Sequence, residues 1–434
     1  MALGAQLRRV VVVGAGLGGL RAAEQLRSAG YTGEVVVVGD EPHLPYSRPP
    51  LSKEGLANGL DHQTVAFRRK ASVDDVVWRL GGPQNTATGV AMAARVLRLA
   101  DGSELAYDGL VLATGVSARR LGLDAPVQWR HVVRTLDDAE SLRARLTTGP
   151  RVVVIGAGFI GCEVAATARV LGCEVDVVDP MAVPLLRPLG PELGNEIRRR
   201  AEGHGVRFHL GRTVARIEGD RAGPRELALD DGTQLPATVV VEAVGSVPNV
   251  SWLEGNGLDL ADGVRCDTGL RAVGPAGPLR DVVVVGDIAR FPNVLFDDVP
   301  RRVEHWNVPT ETAKRAAKVL AADLDARAAG HDGEGDPDPV GALGDFTPMP
   351  AFWSDQFETR LQSFGLPGIG GADIRLLEGD LAGECAVGYH RDGVLVGVVF
   401  LGLAARFSHY RAMIAARQRT STQPGPHTGI ALAT

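Results

Sequence analysis

Twice in this chain an apolar strand runs into a glycine turn, the turn opens a helix, and a second strand ends at an aspartate. The first copy reads Val10–Val13, then Gly14-Ala15-Gly16-Leu17-Gly18-Gly19, a helix through Leu26, and Glu34–Val38 leading to Asp40. The second reads Arg151–Ile155, then Gly156-Ala157-Gly158-Phe159-Ile160-Gly161, a helix through Val170, and Glu174–Val178 ending at Asp179. A bare GxGxxG arises by chance in a chain with 55 glycines. Its placement between strand and helix, repeated with an acidic residue at the far strand end, is the specific signal. Valine-rich strands alternating with alanine-rich helical stretches predict parallel α/β units whose strands are covered on both faces.

Each glycine has a separate task in such a turn. Gly14 makes the tight bend, Gly16 lets the backbone approach a pyrophosphate, and Gly19 lets the helix pack closely on the strand, with Gly18 also expected at the cofactor. The helix then points its unpaired N–H groups and positive dipole end at the phosphates. Asp40 stands 26 residues past Gly14, where a carboxylate accepts ribose hydroxyls, and Glu41 is its nearby competitor. Gly156, Gly158 and Gly161 repeat the pattern, with Asp179 lying 23 residues past Gly156. A carboxylate there repels a 2′-phosphate. No arginine precedes Arg187 in the following stretch, so NADH is expected over NADPH.

The 434 residues predict two or three cores. Four cysteines, Cys162, Cys173, Cys266 and Cys385, form no CxxC or CxxxxC pair. They read as small buried hydrophobes in a reducing cytoplasm rather than a disulfide framework. The opening MALGAQLRRVVVVGAG lacks a separate apolar segment before a cleavage site, so export is not expected. Runs long enough for a membrane helix are absent, and a formal charge of −6 disfavours nucleic acid as the primary partner. Arg198–Arg200 and Arg301-Arg302 read as solvated charge. His305 has no Cys or His at ligand spacing, so no metal is expected. Past Ala321, the Gly-, Asp- and Pro-rich 328–344 stretch predicts a flexible connection. Strand-like runs at Cys385–Tyr389 and Val394–Leu401 around Arg391-Asp392-Gly393 then predict a small antiparallel α+β domain.

With Leu110-Val111-Leu112-Ala113-Thr114-Gly115 and Val282-Val283-Val284-Val285-Gly286-Asp287 added to the two turns, the chain resembles the glutathione-reductase-like FAD/NAD flavoproteins. Tyr46-Ser47-Arg48-Pro49-Pro50-Leu51-Ser52-Lys53, Phe159-Ile160-Gly161-Cys162-Glu163 and Phe352-Trp353-Ser354-Asp355-Gln356 narrow the likeness to NADH-dependent ferredoxin reductases serving oxygenases and cytochromes P450. It runs from about Val10 to about Gly371. It departs at Met349-Pro350-Ala351, where the family often has another aromatic residue, and at the acidic insertion. The resemblance implies an α/β fold with two Rossmann-like dinucleotide-binding domains, the FAD domain interrupted by the NAD domain. The FAD domain would occupy 1–116 and 243–326, the NAD domain 117–242, a flexible linker 327–344, the C-terminal α+β domain 345–419 and a tail 420–434.

The resemblance also distributes roles. FAD would be held by the first glycine turn, Asp40 or Glu41, Arg48, Lys53, Val90, Ala113, Thr114, Gly115, Arg134 and Asp287, with Trp306 and Trp353 as aromatic options beside the flavin. NAD would be held by the second turn with Phe159, Ile160, Glu163, Asp179 and Gly245. Lys53 and Glu163 would form an ion pair beside flavin N5, stabilising reduced flavin and orienting NADH. Their plainer alternatives are a surface lysine and a helix-start glutamate. Hydride would pass from nicotinamide C4 to flavin N5, and single electrons onward to a [2Fe–2S] ferredoxin. Arginines near the flavin edge would attract the ferredoxin's acidic face, giving rates that fall with salt. A monomer or weak homodimer is expected. A disulfide reductase or NADH peroxidase needs a redox cysteine in the first domain, and none precedes Cys162. A monodehydroascorbate reductase, an apoptosis-inducing-factor-like oxidoreductase and an NADH-sensing scaffold are the remaining alternatives.

Overall fold

The structure, a computed structural model, describes residues 8–331 and 338–417. The chain divides into two compact units: residues 1–150 with 239–348, and residues 151–238 with 349–434.

The first unit is built on a six-stranded sheet ordered Arg271–Gly274, Gly277–Val284, Gly109–Leu112, Arg9–Val13, Glu34–Gly39 and Val77–Leu80. Apart from the antiparallel edge pair Arg271–Gly274 with Gly277–Val284, its ladders are parallel. Val10, Val11 and Val12 are fully buried, as are Leu110 and Leu112. The residues sheltering them include Ala22 and Leu26 on the helix Leu17–Ser28 and Leu320 and Leu324 on the helix Val308–Ala328. Continuous valine runs therefore formed central strands, as their apolarity on both faces requires. The chain leaves this unit after Pro150 and returns at Val239. Within this unit Val116–Ala118 pairs antiparallel with Ser246–Pro248.

In the second unit Arg151–Ile155, Glu174–Asp179 and Val206–Leu210 are parallel neighbours. The same unit holds a five-stranded antiparallel sheet ordered Ala351–Gln356, Thr359–Gly365, Val394–Leu401, Cys385–Arg391 and Ile374–Gly379. The expected turn joins the central hairpin: Arg391 pairs with Val394, and Asp392 and Gly393 have φ of 54° and 76°. Two positive φ values are what a two-residue loop needs to match the strand twist. Among the described residues no helix is long and apolar enough to cross a membrane.

Residues 117–150, 239–242 and 345–348 fall in the first compact unit rather than where they were expected. Residues 117–150 belong to the first compact unit, because Leu136 and Ala139 on the helix Leu136–Leu146 bury against Tyr46, Leu51 and Val65. Residues 345–348 also belong there, with Phe346 in the core and the Asn293 amide donating to Pro348 O at 2.8 Å. The stretch expected to be a flexible linker is fastened on both sides of 332–337, which lie outside the described residues. Upstream, Arg327 donates to Asp108 O. Downstream, Asp338 caps a helical turn at Pro339–Ala342 and pairs with Arg271 at 2.8 Å, while Arg315 donates to Leu343 O at 3.1 Å. Arg271 is itself buried in a bidentate pair with Asp323 at 2.7 and 2.9 Å. The Asp and Pro content that marks a weak packer here supplies the ion-pair partner and the helix start. The 420–434 tail lies outside the described residues.

Candidate functional site

In the first unit the turn after Val13 is tight enough to exclude side chains. Gly14 has φ +112°, donates to Val38 O at 2.8 Å, and an added Cβ would sit 2.2 Å from Ala113 O. A Cβ at Gly19 would sit 1.9 Å from Gly14 O. Gly18 is less crowded, its nearest neighbour being a Val285 methyl at 3.4 Å. Gly16 differs from all three: it caps the helix Leu17–Ser28 with no side-chain acceptor on the first-turn N–H groups, and a Cβ there meets nothing within 4 Å. That open space in front of unpaired amides fits a pyrophosphate.

Of the residues expected at FAD, Ala113 and Thr114 abut this turn directly. Asp40 follows the strand Glu34–Gly39 and is exposed. Glu41 is committed elsewhere, accepting from the Tyr46 hydroxyl and from Arg48. Tyr46 Oη also accepts from Leu136 N at 3.0 Å and Arg48 Nη1 at 3.2 Å, and Arg48 donates to Arg134 O at 2.5 Å. Arg134 in turn lies 3.7 Å from Asp287. Burial, with Glu304 adding, raises the Asp287 carboxyl above its ordinary value, although Arg134, Arg302 and Arg48 pull it down. Burial and then Arg48 hold Arg134 below the usual guanidinium range. Thr114 donates to Asn249 O at 2.7 Å, and Gly115 O accepts from Asn249 N at 3.0 Å with Gly115 at φ +63°. Ala113 and Val90 are buried, Lys53 donates to Pro49 O at 3.3 Å, and Trp306 is 52% exposed.

The second unit repeats the turn. Gly156 has φ +106° and donates to Val178 O at 2.8 Å. Gly158 caps the helix Phe159–Val170 without a side-chain acceptor, and a Cβ there also meets nothing within 4 Å. Gly161 is buried and Ile160 is 43% exposed. The Asp179 carboxylate accepts from Ala157 N at 2.7 Å and Met181 N at 2.8 Å, which fixes it at the mouth of the turn. Sequence spacing pointed to Arg187 as the nearest arginine. The fold instead brings Arg212 alongside, its amide donating to Asp179 O and its guanidinium paired with Asp231 at 2.6 Å. The parallel pairing of Asp179 with Leu210 is what places it there.

Glu163 lies 3% exposed, one turn into that helix, and accepts from the Ser354 hydroxyl at 2.7 Å. The rings of Phe159 and Phe352 meet at 4.8 Å. Ser354 and Phe352 belong to the motif that narrowed the resemblance, but residue spacing gave them no role. Trp353 lies on the same strand. Lys53 is in the first unit and Glu163 in the second, and Gly245, expected at NAD, is in the first with φ +97°. All four thiols are buried and free, and burial pushes Cys162 up to about 12 and raises the other three. No cluster suited to a metal occurs among the described residues.

The ferredoxin–NAD(+) reductase component of the anthranilate 1,2-dioxygenase system of Burkholderia cepacia is 37% identical over 94% of this chain and 94% of that protein. Putidaredoxin reductase of Pseudomonas putida is 33% identical over 86% of this chain and 83% of its own length. Among solved structures, the covalent putidaredoxin reductase–putidaredoxin complex superposes with a TM-score of 0.83 at 30% identity, covering 95% of this chain and 94% of that one. A "Reductase C-terminal" model matches residues 351–425. Residues 8–313 match the model described as pyridine nucleotide-disulphide oxidoreductase, and the chain belongs to that family.

Proposed function

We propose that this protein is an FAD-containing, NADH-dependent ferredoxin reductase that passes electrons to a [2Fe–2S] ferredoxin feeding an oxygenase or cytochrome P450. The observation that carries this is the pair of open glycine cradles at Gly16 and Gly158, each in front of unpaired helix amides and each followed by a strand-end aspartate. The family and the names of the relatives imply FAD and NAD(H). Four buried thiols of raised pKa offer no nucleophile for disulfide chemistry, which favours ferredoxin as acceptor and fits a cytoplasmic protein.

When bound, FAD accepts two electrons as hydride and releases them one at a time. The chain's own residues do the rest. Gly14, Gly16, Gly18 and Gly19 make room for the pyrophosphate, and Asp40, exposed where Glu41 is half-buried against Tyr46 and Arg48, takes the adenosine ribose. Arg48, Arg134 and Asp287, with Val90, Ala113, Thr114, Gly115 and Lys53, complete the FAD pocket, and Trp306 is its aromatic residue. Gly156, Gly158 and Gly161 with Phe159 and Ile160 hold the second nucleotide, and Glu163 orients the nicotinamide. The fixed carboxylate of Asp179 accepts the ribose hydroxyls of NADH and repels the extra phosphate of NADPH.

Purified protein is expected to be yellow, to release FAD on denaturation, and to reduce a [2Fe–2S] ferredoxin faster with NADH than with NADPH. Colourless protein, or flavin that NADH reduces without onward transfer to any ferredoxin tried, overturns the proposal.

A further inference from the structure

The strand Ala351–Gln356 lies along the helix Phe159–Val170 in matching register. Phe159 and Glu163, four residues apart, share a face of the helix and are about 6 Å apart along its axis. Phe352 and Ser354, two apart, share a face of the strand and are about 6.6 Å apart along it. The two spacings agree, so Phe159 meets Phe352 with ring centroids at 4.8 Å while Glu163 meets Ser354 at 2.7 Å. Gln356 follows on the same strand face, and its Nε2 donates to Ser354 Oγ at 3.2 Å. Trp353 and Asp355 alternate to the other face.

The direction of these hydrogen bonds is fixed by chemistry. The amide nitrogen of Gln356 can only donate, so Ser354 Oγ accepts there, and the single hydroxyl proton is left to point at Glu163. Ser354 is fully buried, Gln356 is 5% exposed and Glu163 is 3% exposed. A carboxylate this buried requires donors, and a hydroxyl that is itself oriented by a second donor holds it in one rotamer more firmly than a freely rotating one.

We infer that Ser354 and Gln356 are positioning residues for NADH oxidation: they act through Glu163, fixing the carboxylate that orients the nicotinamide. This rests on the assignment of Glu163 proposed above. It gives the C-terminal sheet a part in the first half of the reaction, through its edge strand, in addition to its place in the fold.

The test uses full-length, flavin-loaded protein in stopped-flow reduction by NADH, without any ferredoxin. Ser354→Ala is expected to slow the limiting rate of flavin reduction about tenfold, the effect of losing one hydrogen bond to a charged group. Ser354→Thr, which keeps the hydroxyl, is expected to restore the rate, and Gln356→Leu to slow it about threefold. The deciding arm is the double variant: in a Glu163→Ala background, Ser354→Ala should have no further effect. If Glu163→Ala alone leaves the rate unchanged, the assignment of Glu163 fails and the positioning role fails with it. If Glu163→Ala slows reduction but Ser354→Ala does not, or the two effects multiply independently, the positioning role alone is wrong. Should Ser354→Ala fold poorly, Ser354→Thr and Gln356→Leu decide: an unchanged rate in Gln356→Leu would overturn the role, and a fall in that variant with a wild-type rate in Ser354→Thr would support it.

Discussion

At the scale of single residues, two adjacent carboxylates end the second strand of the first unit and behave differently. Asp40 is exposed beside the open turn, while Glu41 is tied to Tyr46 and Arg48. Tyr46 is the hub of that tie. Its hydroxyl donates to Glu41 and accepts from the buried Leu136 amide at 3.0 Å, joining the segment before Lys53 to the start of a helix 90 positions away. Replacing Tyr46 with Phe leaves that amide and Glu41 without the shared hydroxyl. A loss of about 1–3 kcal/mol is expected, read as a lower urea midpoint for the first unit, and an unchanged midpoint would show that the hub carries nothing. The choice between Asp40 and Glu41 was not decidable from residue order, since both stand near the strand end. What distinguishes their surroundings is an aromatic hydroxyl five positions past Glu41, whose partners only the fold supplies.

At the scale of elements, the two glycine turns were legible because every constraint in them is local: strand, turn and helix are consecutive, and the spacing itself dictates the backbone. The structure separates the glycines by function, and substitutions should do the same. Gly14→Ala places a methyl 2.2 Å from Ala113 O at φ +112°, so little soluble protein is expected. Gly16→Val points into open space, so the variant should fold with a wild-type circular dichroism spectrum and lose most of its flavin absorbance. Equal flavin content in Gly16→Val and wild type would mean that the cradle is not the pyrophosphate site. The packing of Ala351–Gln356 against the helix bearing Glu163 was illegible for the opposite reason. The partners are 191 positions apart, and an edge strand of mixed polarity gives no hint of which face meets what. The same holds for Arg271, whose two carboxylate partners are buried Asp323 on a helix and exposed Asp338 on a segment that composition marks as a linker.

At the scale of the whole molecule, protonation couples to folding through partly or fully buried histidines. Burial holds His305 down to about 4, and also lowers His131 and His390. A histidine whose folded value is depressed resists the proton that the unfolded chain accepts. The stability it contributes is therefore present above about pH 6.5 and is lost as pH falls toward 4. Wild type is expected to lose on the order of 1–2 kcal/mol between pH 7 and pH 5 relative to His305→Asn. Chemical denaturation of both proteins across that range checks it, and parallel curves would show that His305 is not held neutral.

The burial of the thiols has a practical consequence. One of them, Cys266, lies in the first unit, and Cys162, Cys173 and Cys385 lie in the second. A disulfide reagent such as DTNB attacks only exposed thiolates, so the native protein should release almost no chromophore. As denaturant is added, the stoichiometry of release becomes a counter of which half opens. A first step of one equivalent means the first unit loosens before the second, and a first step of three means the reverse. Release of all four together would mean that the two halves share a single cooperative transition.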